Sequence, residues 1–96
     1  MMVLTIYLLD ETVTFIWLKQ DDHNVHEVSK ERYEKCDTTS LPTEPMSPNY
    51  EFKGTVKGTH YFICTVANGF HCKNRGVKAS VIVVEHVHEC PFHPYN

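Results

Sequence analysis

Seven histidines and four cysteines in a chain of 96 residues are the side chains best able to do chemistry here. They suggest a metal site, a disulfide, or both. The segment Phe62-Ile63-Cys64-Thr65-Val66-Ala67-Asn68-Gly69-Phe70-His71-Cys72 is the most informative. Cys64 leaves an apolar run, six residues follow, and His71 and Cys72 close the segment. Far upstream, His23 stands directly before Asn24-Val25. Two imidazoles and one thiolate brought together are the ligand set of a trigonal copper site. Thiolate suits Cu(I) and imidazole suits both oxidation states, so such a set rearranges little when an electron arrives or leaves. The competing reading is a buried structural cysteine with two surface histidines.

These residues must be positioned by strands. Val3 to Leu9 is a strong β run, and Asp10-Glu11 makes a turn. Thr12 to Leu18 follows, with Val13, Phe15 and Trp17 on one face and Thr12, Thr14 and Ile16 on the other. His23 to Val28 reads as another strand, on which His26 faces solvent. Ser29 is placed to cap a short helix through Cys36, with Glu31 and Lys35 paired on its outer face. Three prolines between Asp37 and Asn49 mark a surface loop. Tyr50 to Val56 and Thr59 to Val66 read as strands, the second with His60 on a solvent-facing side. Ala67 to Gly76 reads as loop and Val77 to Val84 as the last strand. Phe15, Trp17, Tyr33 and Phe62 are expected in the core. Many short strands between turn signals predict an all-β sandwich or barrel.

Composition narrows the function. The formal charge is −3 with no basic block, which argues against nucleic acid as the main partner. No apolar run approaches the roughly 20 residues of a membrane-spanning helix. No nucleophile with its base and orienter, no matched carboxylate pair and no phosphate loop stands out, so the chain does not read as an enzyme. The cysteines favour an oxidising compartment, yet no secretory signal is visible at the N-terminus.

The runs Thr12-Val13-Thr14-Phe15, His23-Asn24-Val25, Glu27-Val28 with Tyr33 and Cys36, and Gly58-Thr59-His60-Tyr61-Phe62-Ile63-Cys64 occur in an order that resembles the phytocyanins. These are the plant-type blue copper branch of the cupredoxins. The resemblance covers about residues 10 to 84, and the last of its motifs is the His71-Cys72 pair. It implies a Greek-key β-sandwich with one short helix, one type 1 copper ion, and single-electron transfer to a redox protein or small-molecule redox partner. It makes His23, Cys64 and His71 the equatorial ligands and implies a Cys36–Cys72 disulfide. Such a bridge would contribute about 3–4 kcal/mol in the chain-entropy model. It also implies an extracellular or cell-surface location.

Three departures from the family pattern carry expectations of their own. Val77 stands at the axial position, where the family has Met or Gln, and a valine has no donor atom. The Cys64-to-His71 loop is about two residues longer than the family's. Only nine residues precede Asp10, so the sandwich is expected to be N-terminally shortened, with Val3 to Leu9 replacing an edge strand. An uncovered apolar edge of that kind favours self-association. The lost axial donor keeps an alternative open: a copper-free, early-nodulin-like domain serving as an extracellular interaction or structural module.

The domain is taken as residues 1–85, with 86–96 as a tail. His86, His88, Cys90 and His93 gather there, but no paired C-x2-C half is present, so a zinc site is not predicted. Metal storage or sensing through this tail is the weakest reading. Cys90 is left as a free thiol or a site of intermolecular pairing.

Overall fold

The structure, a computed structural model, describes residues 2–85. The expectations placed on His86, His88, Cys90 and His93 lie outside the described residues. The apolar run at the start forms strand β1 (Met2–Leu8). Asp10 turns the chain with φ 72°, a left-handed conformation that Asp tolerates. The Glu11 carboxylate accepts the Leu8 N–H at 2.6 Å and closes that turn. Strand β2 (Thr12–Ile16) follows, then β3 (His26–Val28), helix α1 (Lys30–Lys35), β4 (Asn49–Lys53) and β5 (Gly58–Ile63). A 3-10 turn (Val66–Gly69), helix α2 (Phe70–Arg75) and β6 (Lys78–Val84) complete the described chain.

The strands build two sheets. One has the order β1-β6-β5-β3, and the other pairs β2 with β4. β1 runs parallel to β6 along its whole length, from Met2 opposite Lys78 to Leu8 opposite Val84. In the strand order it stands at one edge of its sheet among the described residues. The β5–β6, β3–β5 and β2–β4 pairings are antiparallel.

Two-residue periodicity sorts the side chains of β5. Phe62 turns inward to Val13, Val25, Val81 and Val83, with Phe15, Trp17 and Phe52 packed around them. Phe62 stacks obliquely on Phe15 at 5.0 Å and edge-on to Phe52 at 4.9 Å between centroids. Full burial of a ring this size stabilises the fold by about 2–3 kcal/mol. Its neighbours Tyr61 and Ile63 point the other way, into a second cluster with Tyr33, Cys36 and Cys72 under α1. One strand thus serves both layers. Gly54 is needed where it stands, because a Cβ there would come within 2.7 Å of the Val83 side chain.

Helix α1 forms as its sequence predicts. The Ser29 hydroxyl accepts the Arg32 N–H at 3.2 Å, and Cys36 ends the helix in a left-handed conformation. The Glu31–Lys35 pair is 3.5 Å apart and well exposed, so it adds little to stability.

Several expectations are corrected. The strand expected from His23 begins only at His26, because the Asn24 side chain takes hydrogen bonds that a ladder would otherwise make. The region expected as loop from Ala67 to Gly76 contains the 3-10 turn and α2. His26 and His60 do not face open solvent but are half-buried. Burial lowers the His26 pKa, opposed in part by a hydrogen bond to the Pro42 carbonyl. His60 Nδ1 lies 2.7 Å from Glu27 Oε2 and Nε2 lies 2.7 Å from the Val56 carbonyl oxygen. Burial pulls the His60 pKa down, but these two hydrogen bonds and the Glu27 charge outweigh it and the net shift is upward.

Candidate metal centre

The site grows from two chain crossings at one end of the sandwich. His23 lies in the irregular stretch between β2 and β3, where no ladder fixes the backbone. Asn24 fixes it instead. This side chain is 1% exposed, donates to the Glu44 carbonyl at 3.0 Å and to Thr65 Oγ1 at 2.8 Å, and accepts the Thr65 N–H at 2.7 Å. Thr65, itself 0% exposed, donates a hydrogen bond from its own hydroxyl to the Pro42 carbonyl. Every polar atom of the Asn24 amide is engaged, so the buried network is rigid rather than costly. It locks the residue after His23 to the residue after Cys64.

That lock predicts a specific loss. Asn24→Ala leaves the buried Thr65 N–H without its acceptor and opens a void, at a cost of about 2–3 kcal/mol. Urea denaturation of the two proteins measures it, and a loss below about 1 kcal/mol would show that the network relaxes onto other partners.

Cys64 follows the last residue of β5 and is 1% exposed. Among the described residues it is the free cysteine, since Cys36 and Cys72 are joined as a disulfide with their Cα atoms 5.7 Å apart. The chain then turns through Ala67 and Asn68, both left-handed at φ 59° and 55°. Such residues cost about 1–2 kcal/mol each relative to ordinary backbone. Gly69, with φ +88°, starts α2, and His71 sits in its first turn beside the bridged Cys72. The helix missed in the sequence therefore carries one imidazole. A signal was available in Gly69 and Gly76, which flank six residues free of proline and glycine.

Val77 touches both arms of the site through its backbone. Its N–H donates to the His71 carbonyl at 3.1 Å, and its carbonyl accepts the Cys64 N–H at 3.2 Å.

His23, Cys64 and His71 come together. Cys64 Sγ lies 3.5 Å from His23 Nδ1 and 3.7 Å from His71 Nδ1, and the two nitrogens are 3.1 Å apart. A point equidistant from the three donors lies about 2.0 Å from each, within reach of the roughly 2.0–2.3 Å bonds that imidazole and thiolate make to a metal ion. The donor set and its spacing fit a transition-metal ion. No fourth His, Cys, Asp or Glu among the described residues joins the group.

Electrostatics favour the ligating form of His23. Burial is the largest cause lowering its pKa, and the neighbouring His71 and Arg75 lower it further, while Asp21 and Asp22 oppose them. The net lowering favours the neutral imidazole, the form that has a lone pair for a metal. Trp17 packs edge-on to the His23 ring at 6.3 Å, and the His23 and His71 rings meet at 4.8 Å.

Comparison with known proteins places the fold. The plastocyanin-like domain family matches residues 7–76, which is most of the chain. The chain belongs to the plastocyanin-like family. Within it, the chain is a phytocyanin-type cupredoxin. It is 42% identical over 65 residues to cucumber peeling cupredoxin from Cucumis sativus, a match covering 65% of this chain and 44% of that one. This cupredoxin therefore spans less than half the length of that curated relative. Cucumber stellacyanin, solved with Cu2+ at pH 7.0, superposes with a TM-score of 0.63 at 32% identity over 79% of this chain and 67% of the other. Oxidised plastocyanin from Dryopteris crassirhizoma superposes with a TM-score of 0.53 at 20% identity, over 85% and 83% of the two chains. At that identity the likeness speaks for the cupredoxin fold alone.

Proposed function

We propose that this cupredoxin is a type 1 copper protein that carries single electrons, rather than an enzyme. The observation that carries the reading is the convergence of one thiolate and two imidazole donors at 3.1–3.7 Å on a stellacyanin-like fold. His23, Cys64 and His71 would hold the ion. When bound, copper supplies a centre that gains and loses one electron between Cu(II) and Cu(I). The protein's own residues keep that exchange economical in motion. The Asn24–Thr65 lock and the Val77 backbone fix the two arms, so the donors need not rearrange. Burial of Cys64 keeps water from the sulfur. His71, half-buried next to the exposed Phe70, is the edge through which a redox protein or small-molecule partner would exchange electrons.

Titration with Cu(II) tests the reading. One equivalent is expected to give an intense blue absorption, which only a thiolate–copper bond produces at these donors. A colourless protein would instead support the copper-free interaction module that the axial valine keeps in view.

The axial position offers a finer test. We place Val77 beside the ion without ligating it, which supports a His2Cys site lacking the usual Met or Gln. An absent axial donor disfavours Cu(II) more than Cu(I) and raises the reduction potential. Val77→Met is expected to lower that potential in voltammetry. An unchanged potential would mean that the side chain at position 77 does not face the ion.

The setting follows the same reading. The disulfide fits an oxidising compartment, consistent with an extracellular or cell-surface protein. No helix among the described residues is long and apolar enough to cross a membrane. β1, an outer edge strand without a charged residue, is where we place self-association of the chain.

A further inference from the structure

Residues of both sheets, together with His23 and Cys64, line a cavity of about 300 Å³. Its walls are the rings of Phe15, Trp17 and Phe62 with the aliphatic side chains of Val25, Val77 and Ala79. That volume and that lining are those of a small-molecule pocket at the lower end of the usual size range. Ile16, 76% exposed, stands at its rim, so the space opens outward beside β2.

The polar residues that border the cavity are committed elsewhere. The Asn24 amide is used in full by Glu44 and Thr65. The Lys78 ammonium donates to the Tyr33 carbonyl at 2.9 Å and sits 4.5 Å over the Tyr33 ring centroid, on the opposite face of the sheet. Cys64 Sγ and His23 Nδ1 face one another and His71. The cavity therefore offers aromatic and aliphatic surface but no uncommitted charge to a guest.

We propose that this cavity binds a small uncharged aromatic molecule of one or two rings. Ring edges and faces of Phe15, Trp17 and Phe62 give such a guest the offset and edge-on contacts that aromatic pairs prefer. A carboxylate or ammonium would enter without a partner and would have to shed its hydration. The guest would lie against His23 and Cys64, while His71 is not part of the lining.

Trp17 makes the proposal measurable, because it is the one tryptophan of the chain and forms part of the wall. The experiment titrates the metal-free full chain with toluene and follows tryptophan fluorescence, so its result does not depend on copper binding. A saturable change is expected, and benzoate is expected to bind at least about a hundredfold more weakly. Ala79→Leu fills the cavity from β6 and is expected to abolish the toluene response while retaining the native circular dichroism. Should that variant fail to fold, Val25→Phe fills the same space from the other side. No saturable change with toluene would overturn the proposal. So would equal responses to toluene and benzoate, undiminished toluene binding in a folded filled variant, or elution as a dimer whose response to toluene appears only on dilution to monomer.

Discussion

Cys64→Ala is expected to abolish the blue Cu(II) absorption completely and to leave the sandwich folded. The intense colour of such a site comes from charge transfer out of a thiolate, and alanine has no orbital to supply it. Cys64 is the free cysteine among the described residues and stands between the two imidazoles. The fold survives because removing one sulfur atom from a fully buried site costs only about 1–2 kcal/mol. Any copper then held by His23 and His71 alone is expected to be weakly bound and without the blue colour. Visible absorption and circular dichroism on the same sample separate the two effects. An unchanged band would remove Cys64 from the site, and lost circular dichroism would mark it as structural.

Removing the Cys36–Cys72 bridge is expected to lower stability by about 3–4 kcal/mol, as measured by urea denaturation of a Cys36→Ala/Cys72→Ala double variant. The bridge closes a separation of 36 residues, and its reduction frees the unfolded chain to explore many more conformations. Both cysteines are nearly inaccessible and pack with Tyr33 and Ile63, so their loss also loosens the second core cluster. A domain of this size has only about 5–15 kcal/mol of stability in total, so the loss is a large share. His71 precedes Cys72 directly, and its position should relax as well. Copper affinity is therefore expected to fall together with stability. A double variant as stable as the parent would show that the packing around Tyr33 alone holds this end of the fold.

The local rules were written plainly in the sequence. The alternation Tyr61-Phe62-Ile63 was enough to divide β5 between two clusters, because side chains on a strand must alternate faces. Ser29 marked the start of α1 because its hydroxyl has a backbone N–H to accept three residues on. The candidate donors His23, Cys64 and His71 were legible as three residues of the right types in the right order. Its legibility came from resemblance, since nothing local joins His23 to Cys64.

Other features depended on partners remote in the chain. His23 lies 41 residues from Cys64 and 48 from His71, and only the closing of the two sheets brings those donors within 3.7 Å. Asn24 looked like one more strand residue, yet Thr65 makes it a buried lock in place of a ladder. His60 has an ordinary strand-face pattern, and only the neighbouring β3 supplies the Glu27 carboxylate that holds it. α2 was hidden because its six residues show no clean apolar stripe and its place is set by the Cys36–Cys72 bridge and the turn at Gly69. The cavity beside Trp17 was wholly a tertiary outcome. The sequence by itself determined which residue types face inward, because backbone periodicity is a local property. The tertiary structure alone decided which inward-facing residues meet and what space they leave, because those distances depend on how two sheets pack across the whole chain.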